Sequence, residues 1–385
     1  MCCLLKRGFG FVLTACILLI AAAMHPLFAA QSSDAQNGIV YFDEYVFAGW
    51  PANEGSWAWG DEILVSFNVG AYEERTDTHS IRGRPDRMFA RSMDGGKTWA
   101  FEESHPRLSP RIPVPEDGVG DMTAPGFALK SRGNAFIVSF DKGHTWKGPY
   151  PIPDFPEQGA YPNARTSYIV TGPKSALLFM SSARFSPEGS DGERGRAYVM
   201  RTNDGCKTFQ FLGWMSPDLE LQASENERKH PVFSIMPSVV RIDGDHYVAA
   251  LRQRIHKRKW TDVYESKDGG KTWTFLSKAE AGSNNPPALL KLADGKTLVL
   301  IYGFRGREPG LRAKLSRDNG KTWTEEFILR KDARTWDIGY PRAHLLPNGE
   351  VLALYYYTTK KHPQQHIAAT CWAPPIAQNK AANAP

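Results

Sequence analysis

One eight-residue motif occurs five times in the chain, and this repeat limits the possible folds more than any other feature. The copies read SMDGGKTW from Ser92, SFDKGHTW from Ser139, TNDGCKTF from Thr202, SKDGGKTW from Ser266 and SRDNGKTW from Ser316. Their aspartates, Asp94, Asp141, Asp204, Asp268 and Asp318, are 47, 63, 64 and 50 residues apart. Such spacings are too long for a small solenoid and suit the four-stranded blade of a β-propeller.

The segments between the motifs predict β-hairpins. The stretches VVRIDGDHYVAALR (239–252), LLKLADGKTLVLIYG (289–303) and AHLLPNGEVLALYYY (343–357) each place an Asp-Gly or Asn-Gly turn between apolar runs. One more strand leads into each motif and another follows it. Five units carry a motif, and a sixth, at 336–373, is completed by a strand from 38–49. We therefore predict an all-β, six-bladed propeller, or seven blades if 147–165 or 212–232 contain further strands.

The N-terminus predicts an export signal. Lys6 and Arg7 precede a long apolar run, and small residues follow near Ala30. We assign residues 1–30 to this signal, 31–375 to a single propeller domain and 376–385 to a disordered tail. A lipoprotein anchor at Cys16 is the less favoured alternative, because the residues after Cys16 stay apolar. Export to the periplasm or the outside is expected, with no transmembrane segment in the mature chain.

Composition and charge limit the kinds of ligand that this protein is expected to bind. The net charge is +6, and the only dense basic run is HKRK at 256–259. A nucleic-acid protein usually shows a basic stripe, so an acidic small ligand is the better expectation. Once the signal is removed, Cys206 and Cys371 are the remaining cysteines, and we expect free thiols. Nothing indicates a metal or an organic cofactor.

The motif itself predicts a scaffold rather than an active site. Its glycines allow the positive φ of a tight turn, and its Asp can accept backbone N–H bonds across that turn. Its Trp or Phe is expected to pack between blades. Five copies cannot all line one site.

The pattern Ser/Thr-x-Asp-x-Gly-x-Thr-Trp/Phe resembles the Asp box of the sialidase (neuraminidase) superfamily, also called the BNR repeat. The resemblance covers residues 92 to 323 and implies a sialidase-like propeller. It also implies three arginines that hold a sugar carboxylate, a Tyr nucleophile activated by a Glu, and an Asp acting as general acid and base.

The resemblance implies particular site residues. Tyr340, in GYPRAHLLPNGE, matches the nucleophile segment. Its implied arginine partners are Arg252 (with Arg254 as the alternative), either Arg305 or Arg307, and the further substrate-binding candidates Arg165 and Arg342. The acid/base loop at 72–87 offers Asp77 or His79, and His79 titrates closer to neutral pH. Asp121, in GDMTAP, resembles an Asp that contacts the sugar's substituent. Trp57 stands near the place of the family's first arginine, where it would stack on a sugar ring.

Because of two departures from the family pattern, the sequence is compatible with more than one activity. The stretch NEGSWAWGDEILVSF (53–67) has no Arg, and FSIMPSVV (233–240) has no acid, although Glu225 and Glu227 lie just upstream. Three functions follow: a sialidase-like exo-glycosidase on a terminal acidic sugar, a lyase that cleaves a uronate-containing polysaccharide by β-elimination, or a propeller that binds glycans without chemistry. In each case the partner is an acidic oligosaccharide or polysaccharide.

Overall fold

A computed structural model describes residues 30–31, 35–102, 108–183 and 193–375. These residues form β-strands with one short helix, α1 (Pro51–Glu54), and three single-turn 3-10 helices. The predicted signal peptide, apart from Ala30, and the predicted tail at 376–385 lie outside the described residues. Within the described ranges, no helix has the length and apolar character needed to cross a membrane.

The strands follow one another along almost the whole described chain. The first are β1 (Ala30–Gln31), β2 (Gln36–Tyr41), β3 (Val46–Gly49), β4 (Gly55–Trp59), β5 (Glu62–Tyr72), β6 (Ile81–Ser92), β7 (Ala100–Glu102), β8 (Ala128–Gly133), β9 (Ala135–Ser139) and β10 (Lys147–Pro151). The next are β11 (Tyr161–Pro162), β12 (Ala164–Arg165), β13 (Tyr168–Gly172), β14 (Ser175–Ala183), β15 (Arg194–Thr202), β16 (Gln210–Trp214), β17 (Val232–Asp243), β18 (His246–Ile255) and β19 (Arg258–Ser266). The last are β20 (Thr274–Ala281), β21 (Ala288–Lys291), β22 (Leu298–Phe304), β23 (Gly310–Ser316), β24 (Phe327–Arg330), β25 (Gly339–Leu345), β26 (Val351–Tyr357) and β27 (His366–Trp372).

Hydrogen bonding groups these strands into five sheets. Their orders are β3-β5-β6-β7 with β4 also on β5, β12-β8-β9-β10, β21-β22-β23-β24 with β1 parallel to β24, β25-β26-β27-β2, and a nine-stranded sheet. The nine-stranded sheet contains two antiparallel runs, β14 to β16 and β17 to β20, joined where β15 lies parallel to β17. The three predicted hairpins are present as β17–β18, β21–β22 and β25–β26. Strand β2 completes the sheet that lacks a motif.

The core lies between the sheets. All seven residues of β26, VLALYYY, are buried. Such a strand reads as a continuous apolar run because other sheets cover both of its faces. Neighbouring sheets share hydrophobic clusters; one joins Leu64 and Phe89 to Ala128, and another joins Phe47 to Leu354. Burial against both neighbours therefore holds each sheet in place.

The aspartate of each of the five Asp boxes stabilises its own turn through hydrogen bonds, as predicted. In the fourth box, Asp268 Oδ1 accepts from the amides of Lys271 (3.1 Å) and Thr272 (3.0 Å), and Oδ2 accepts from Thr272 Oγ1 (2.5 Å). The other four aspartates accept from the Thr four residues onward in the same way. Hydrogen bonds from Thr98 to the carboxylate of Asp94 hold the pKa of Asp94 at about 2.

The boxes also set the distance to the neighbouring sheet. Gly96 has a φ of 90°, and a Cβ there would come within 2.8 Å of Leu352 Cδ2. The box therefore needs glycine both for its turn and for close approach. Trp99 is half-buried and packs against the cluster that contains Leu352. Cys206 and Cys371 are free thiols, as expected, with Cys206 buried.

The box turns and the hairpin turns share one face of the molecule. Backbone bonds join them: Gly205 N to Lys174 O (2.9 Å) and Gly269 N to Asp245 O (3.1 Å). Each strand that leads into a hairpin turn must therefore begin on the opposite face. Tyr340, at the start of β25, lies on that opposite face.

Candidate active site

Tyr340 has an unusual backbone conformation that aims its side chain. Its φ is 54°, in the left-handed region, which is rare for a bulky residue and is often found at functional sites. The buried Asn285 holds this conformation, because its Oδ1 accepts from the Tyr340 amide (2.8 Å) and its Nδ2 donates to Ile338 O (3.3 Å). A side chain at Gly339, before Tyr340, would collide with Asn285.

Arg252 contacts the Tyr340 hydroxyl. Its Nη1 donates to that oxygen (3.2 Å), and its Nη2 donates to Asn284 Oδ1 (3.1 Å). The guanidinium also lies over the Phe233 ring, 4.9 Å from its centroid. Arg252 is only 6% exposed, and its Nε has no hydrogen-bond partner among the described residues. A buried cation held only by neutral groups favours an anionic ligand.

Two more arginines border the same tyrosine. The Arg305 guanidinium lies 5.6 Å from the centroid of the Tyr340 ring and donates to Ile338 O (2.8 Å) and Tyr356 OH (2.7 Å). Arg165 donates to Asn53 Oδ1 (2.8 Å), next to Ala52, which belongs to a cluster against which Tyr340 packs. Burial, and then the charge of nearby arginines, lowers the pKa of Arg165 to about 10.

Arg165, Arg252 and Arg305 therefore form what we call the arginine clamp. Within the described ranges, no carboxylate lies within ion-pair distance of any of the three. Their hydrogen-bond partners are amides, hydroxyls, backbone carbonyls and, for Arg252, the Met236 sulfur. Their charge is left for a ligand. Guanidinium groups bind carboxylates through two parallel hydrogen bonds, so the clamp suits a carboxylate.

A histidine–carboxylate pair lies beside the clamp. His79 Nδ1 is 2.7 Å from Asp337 Oδ1. Asp337 is 2% exposed and also accepts from Tyr356 OH (2.6 Å) and Gln365 Nε2 (3.0 Å). Because a carboxylate accepts, Nδ1 carries the proton and Nε2 is available for proton exchange. Trp50 packs against the His79 ring, 4.9 Å between centroids.

A cavity of about 340 Å³ adjoins one member of the clamp, Arg165, and Trp57, Arg342 and His344 are among the other residues that line it. His344 hydrogen-bonds to Ser56 Oγ. Burial, and then the charge of Arg342, lowers the pKa of His344 to about 4. This histidine is therefore neutral under ordinary conditions and acts as a polar wall of the cavity.

The comparisons with known proteins agree with this architecture. The family model of the BNR repeat-like domain matches residues 121–352. The chain belongs to this family. Comparison with curated proteins found no match.

Solved structures resemble this BNR repeat protein at low identity. A protein of unknown function from Dyadobacter fermentans is 21% identical, with a TM-score of 0.65 over 89% of this chain and 98% of the other. The NanB sialidase of Streptococcus pneumoniae is 11% identical (TM-score 0.50; 90% and 70% covered). The α-L-arabinofuranosidase Arb93A of Fusarium graminearum is 13% identical (0.50; 90% and 98%). The shared fold is that of β-propeller glycosidases.

Several residues that the sequence pointed to come together in this BNR repeat protein. Tyr340, Arg252, Arg305 and His79 lie together, and Arg165 is near them. His79 joins the others through Asp337 and Tyr356, since Tyr356 OH also contacts Arg305. Asp77 lies in the same loop and is exposed.

Other predicted site residues lie elsewhere. Asp121 is exposed on the box face, because the next residue, Met122, bonds to Pro173 O in a hairpin turn. The expectation that Asp121 shares the site was therefore wrong. Trp57 is 6% exposed and packs among Leu64 and Phe89. Trp57 also lines the cavity beside Arg165, and its predicted stacking on a sugar stays a prediction.

The remaining arginine candidates lie outside the clamp. Arg342 donates to the carbonyls of Ala52 and Thr166 and supports the inner strands. Arg254 donates to His256 O (2.7 Å), and Arg307 is exposed. Of each predicted pair, Arg252 rather than Arg254 contacts Tyr340, and Arg305 rather than Arg307 does.

The carboxylate expected to activate Tyr340 is not beside it. In the described part of the chain, the hydroxyl has Arg252 as its hydrogen-bond partner, and Met236 from FSIMPSVV touches that arginine instead (Nη1 to Sδ 3.9 Å). Glu227 is held by the Ser224 amide (2.9 Å) and Arg258 (3.0 Å). Asp337, which the sequence analysis missed, lies three residues before Tyr340, and that proximity was the available signal.

Proposed function

We propose that this protein is an exported carbohydrate-active enzyme that releases a terminal acidic sugar, sialic acid or a related one, from a glycan. The arginine clamp around Tyr340 carries the proposal, because its guanidinium groups are preorganised and have no carboxylate partner within the described residues. The fold shared with a sialidase and an arabinofuranosidase supports glycosidase chemistry at a coarse level. Export through residues 1–30 remains part of the proposal.

The clamp and Tyr340 would have separate roles in the reaction. The arginines bind the sugar carboxylate, and Tyr340 Oη bonds to the anomeric carbon as the bond to the glycosidic oxygen breaks and the Tyr340 hydroxyl proton passes to solvent. A neutral tyrosine is suited to this attack because the substrate's carboxylate would repel a carboxylate nucleophile. In its imidazolium form, with both ring nitrogens protonated, His79 donates the Nε2 proton to the leaving oxygen, and Nε2 later removes a proton from the water that releases the sugar from Tyr340. Asp77 is the alternative acid.

A second candidate is β-elimination on a uronate. It is favoured by the contact of the Tyr340 hydroxyl with Arg252, where the sialidase scheme expects a glutamate. In a lyase the clamp neutralises the uronate carboxylate, a base removes the C5 proton, and the C4–O bond breaks to leave a C4=C5 double bond. Tyr340 and His79 would serve as base and acid without a glutamate.

One panel of assays separates the candidates. The protein is incubated with a fluorogenic sialoside and, separately, with uronate glycans. Release of the fluorophore supports the glycosidase, and new ultraviolet absorbance from an unsaturated uronate supports the lyase. If neither fluorophore release nor new ultraviolet absorbance is seen, but the protein binds glycans with measurable affinity, it would be a non-catalytic glycan-binding propeller.

Tyr340→Phe tests the site assignment. We expect whichever activity is found to fall by at least about 100-fold, because the reacting oxygen is removed. Tyr161→Phe, on an exposed ring, is the matched control and should retain full activity. Undiminished activity in Tyr340→Phe would show that the chemistry lies elsewhere.

We also propose that the sheets form a ring of six blades. The nine-stranded sheet counts as two blades, because its two antiparallel runs are joined by strand pairing only over the three residue pairs of the β15–β17 pairing. Shared hydrophobic clusters lie between successive sheets, and one joins β26 and β27 back to β3, β5 and β6. Strand β12 occupies the inner position of the second blade. Closure would leave no wide sheet edge exposed.

A further inference from the structure

A second group of cations lies beside the clamp, around one buried carboxylate. Glu54, the last residue of α1, has 0% exposure. Its Oε2 lies 2.5 Å from Lys130 Nζ and 3.2 Å from Arg87 Nε, and its Oε1 lies 3.2 Å from Arg132 Nε. One carboxylate therefore faces three cations.

Lys130 is the partner that neutralises Glu54. It is fully buried and also donates to Glu54 O (3.0 Å) and Ser66 Oγ (3.2 Å), so its three donors are used inside the protein. Arg87 and Arg132 are different, because they approach Glu54 only through Nε and their side chains are 29% and 26% exposed. Among the described residues, their terminal Nη groups have no hydrogen-bond acceptor.

Arg132 is directly next to the clamp. It lies opposite Arg165 in the antiparallel pairing of β8 with β12, where facing Cα atoms are about 4.5–5.5 Å apart. After burial, the charge of Arg132 is the largest cause that lowers the pKa of Arg165. Helix α1 links the two groups, since Asn53 holds Arg165 and the next residue, Glu54, holds Arg132 and Arg87.

We propose that Arg132 and Arg87 form a second anion subsite, which binds a carboxylate or sulfate on the sugar next to the one held by the clamp. The inference rests on the proposed function and narrows its substrate class to glycans with acidic groups on neighbouring sugars. A guanidinium with two free Nη donors matches two oxygens of either group. An anion there would also relieve the repulsion among three neighbouring arginines.

Binding of non-cleavable probes tests the subsite in the wild-type protein. Isothermal titration calorimetry compares three thio-linked disaccharides: one with an acidic group on the terminal sugar alone, one with an added carboxylate on the neighbouring sugar, and one with an added sulfate there. We expect the second acidic group to tighten binding by about 10- to 100-fold, as hydrogen bonds to charged groups do. Whether carboxylate or sulfate gives the larger gain identifies the natural group.

Substitutions assign the gain to residues. Arg132→Gln and Arg87→Gln should each lower the ratio of di-acidic to mono-acidic affinity towards one. Arg241→Gln is the matched control, because Arg241 is exposed at the β17–β18 turn on the box face and donates to Gly244 O. The control should keep the wild-type ratio, and thermal melts verify that each variant is folded.

The outcomes separate this inference from the proposed function. Equal wild-type affinity for all three probes would overturn the subsite while leaving the clamp intact. A full gain in folded Arg132→Gln and Arg87→Gln would also overturn it, since other residues would then bind the second group. Binding of no probe would refute the proposed function and the subsite together.

Discussion

Replacing Glu54 with Gln tests how strongly the buried carboxylate stabilises the fold. Burial raises the pKa of Glu54, but the charges of Lys130, Arg132 and Arg87 outweigh burial and hold the pKa at about 2 instead of 4.5. Burial also lowers the pKa of Lys130 to about 8, so the shift of Glu54 alone does not give the stabilisation that the pair contributes. Breaking a buried ion pair costs about 3–5 kcal/mol, because the remaining partner, here Lys130, stays buried and unpaired.

We expect Glu54→Gln to lower the free energy of unfolding by about 3 kcal/mol at neutral pH. Urea denaturation followed by tryptophan fluorescence measures this difference. The pKa of Glu54 is lower in the folded state than in the unfolded state, so its contribution is complete above about pH 4.5 and is lost as the pH falls towards 2. The gap between the wild type and Glu54→Gln should therefore shrink across that window.

Glu116→Gln supplies the matched control, because Glu116 is exposed and its replacement should leave the free energy of unfolding nearly unchanged. Two results would refute the reasoning about Glu54. One is equal stability of Glu54→Gln and the wild type at neutral pH. The other is a difference that remains constant as the solution is acidified, since the ion pair would then not be its source.

Two further substitutions test the scaffold and the site. Asp268→Ala removes the acceptor for the Lys271 and Thr272 amides and should cost about 1–2 kcal/mol, seen as a lower Tm; Asp268→Asn keeps one acceptor oxygen and should lose less, and an equal loss would contradict the assigned bonds. Asp337→Asn should lower kcat by roughly 100-fold with little change in KM, because His79 loses its carboxylate partner. A normal kcat in folded Asp337→Asn would contradict the role of the Asp337 carboxylate in supporting His79.

The Asp boxes were predictable because their interactions are local. Asp268 bonds to residues three and four positions away, so the motif contains both partners. The hairpins were predictable for the same reason, since each turn lies between the strands that it joins. Tyr340 and Arg252 could be proposed because the hairpins that carry them resemble those of the sialidase superfamily. Asp121 was misplaced because a motif does not specify which face of the molecule a side chain reaches.

Interactions between distant parts of the chain needed the tertiary structure. His79 and Asp337 are 258 positions apart, and Lys130 lies 76 positions from Glu54. Which charges are neutralised by the protein, and which remain for a ligand, depends on burial and on these long-range contacts. The sequence by itself determined the repeat, its turns and the strand pattern, because those depend on neighbours in the chain. Only the tertiary structure brought three arginines around Tyr340 and left Arg132 and Arg87 beside them, because that charge balance arises where separate sheets meet.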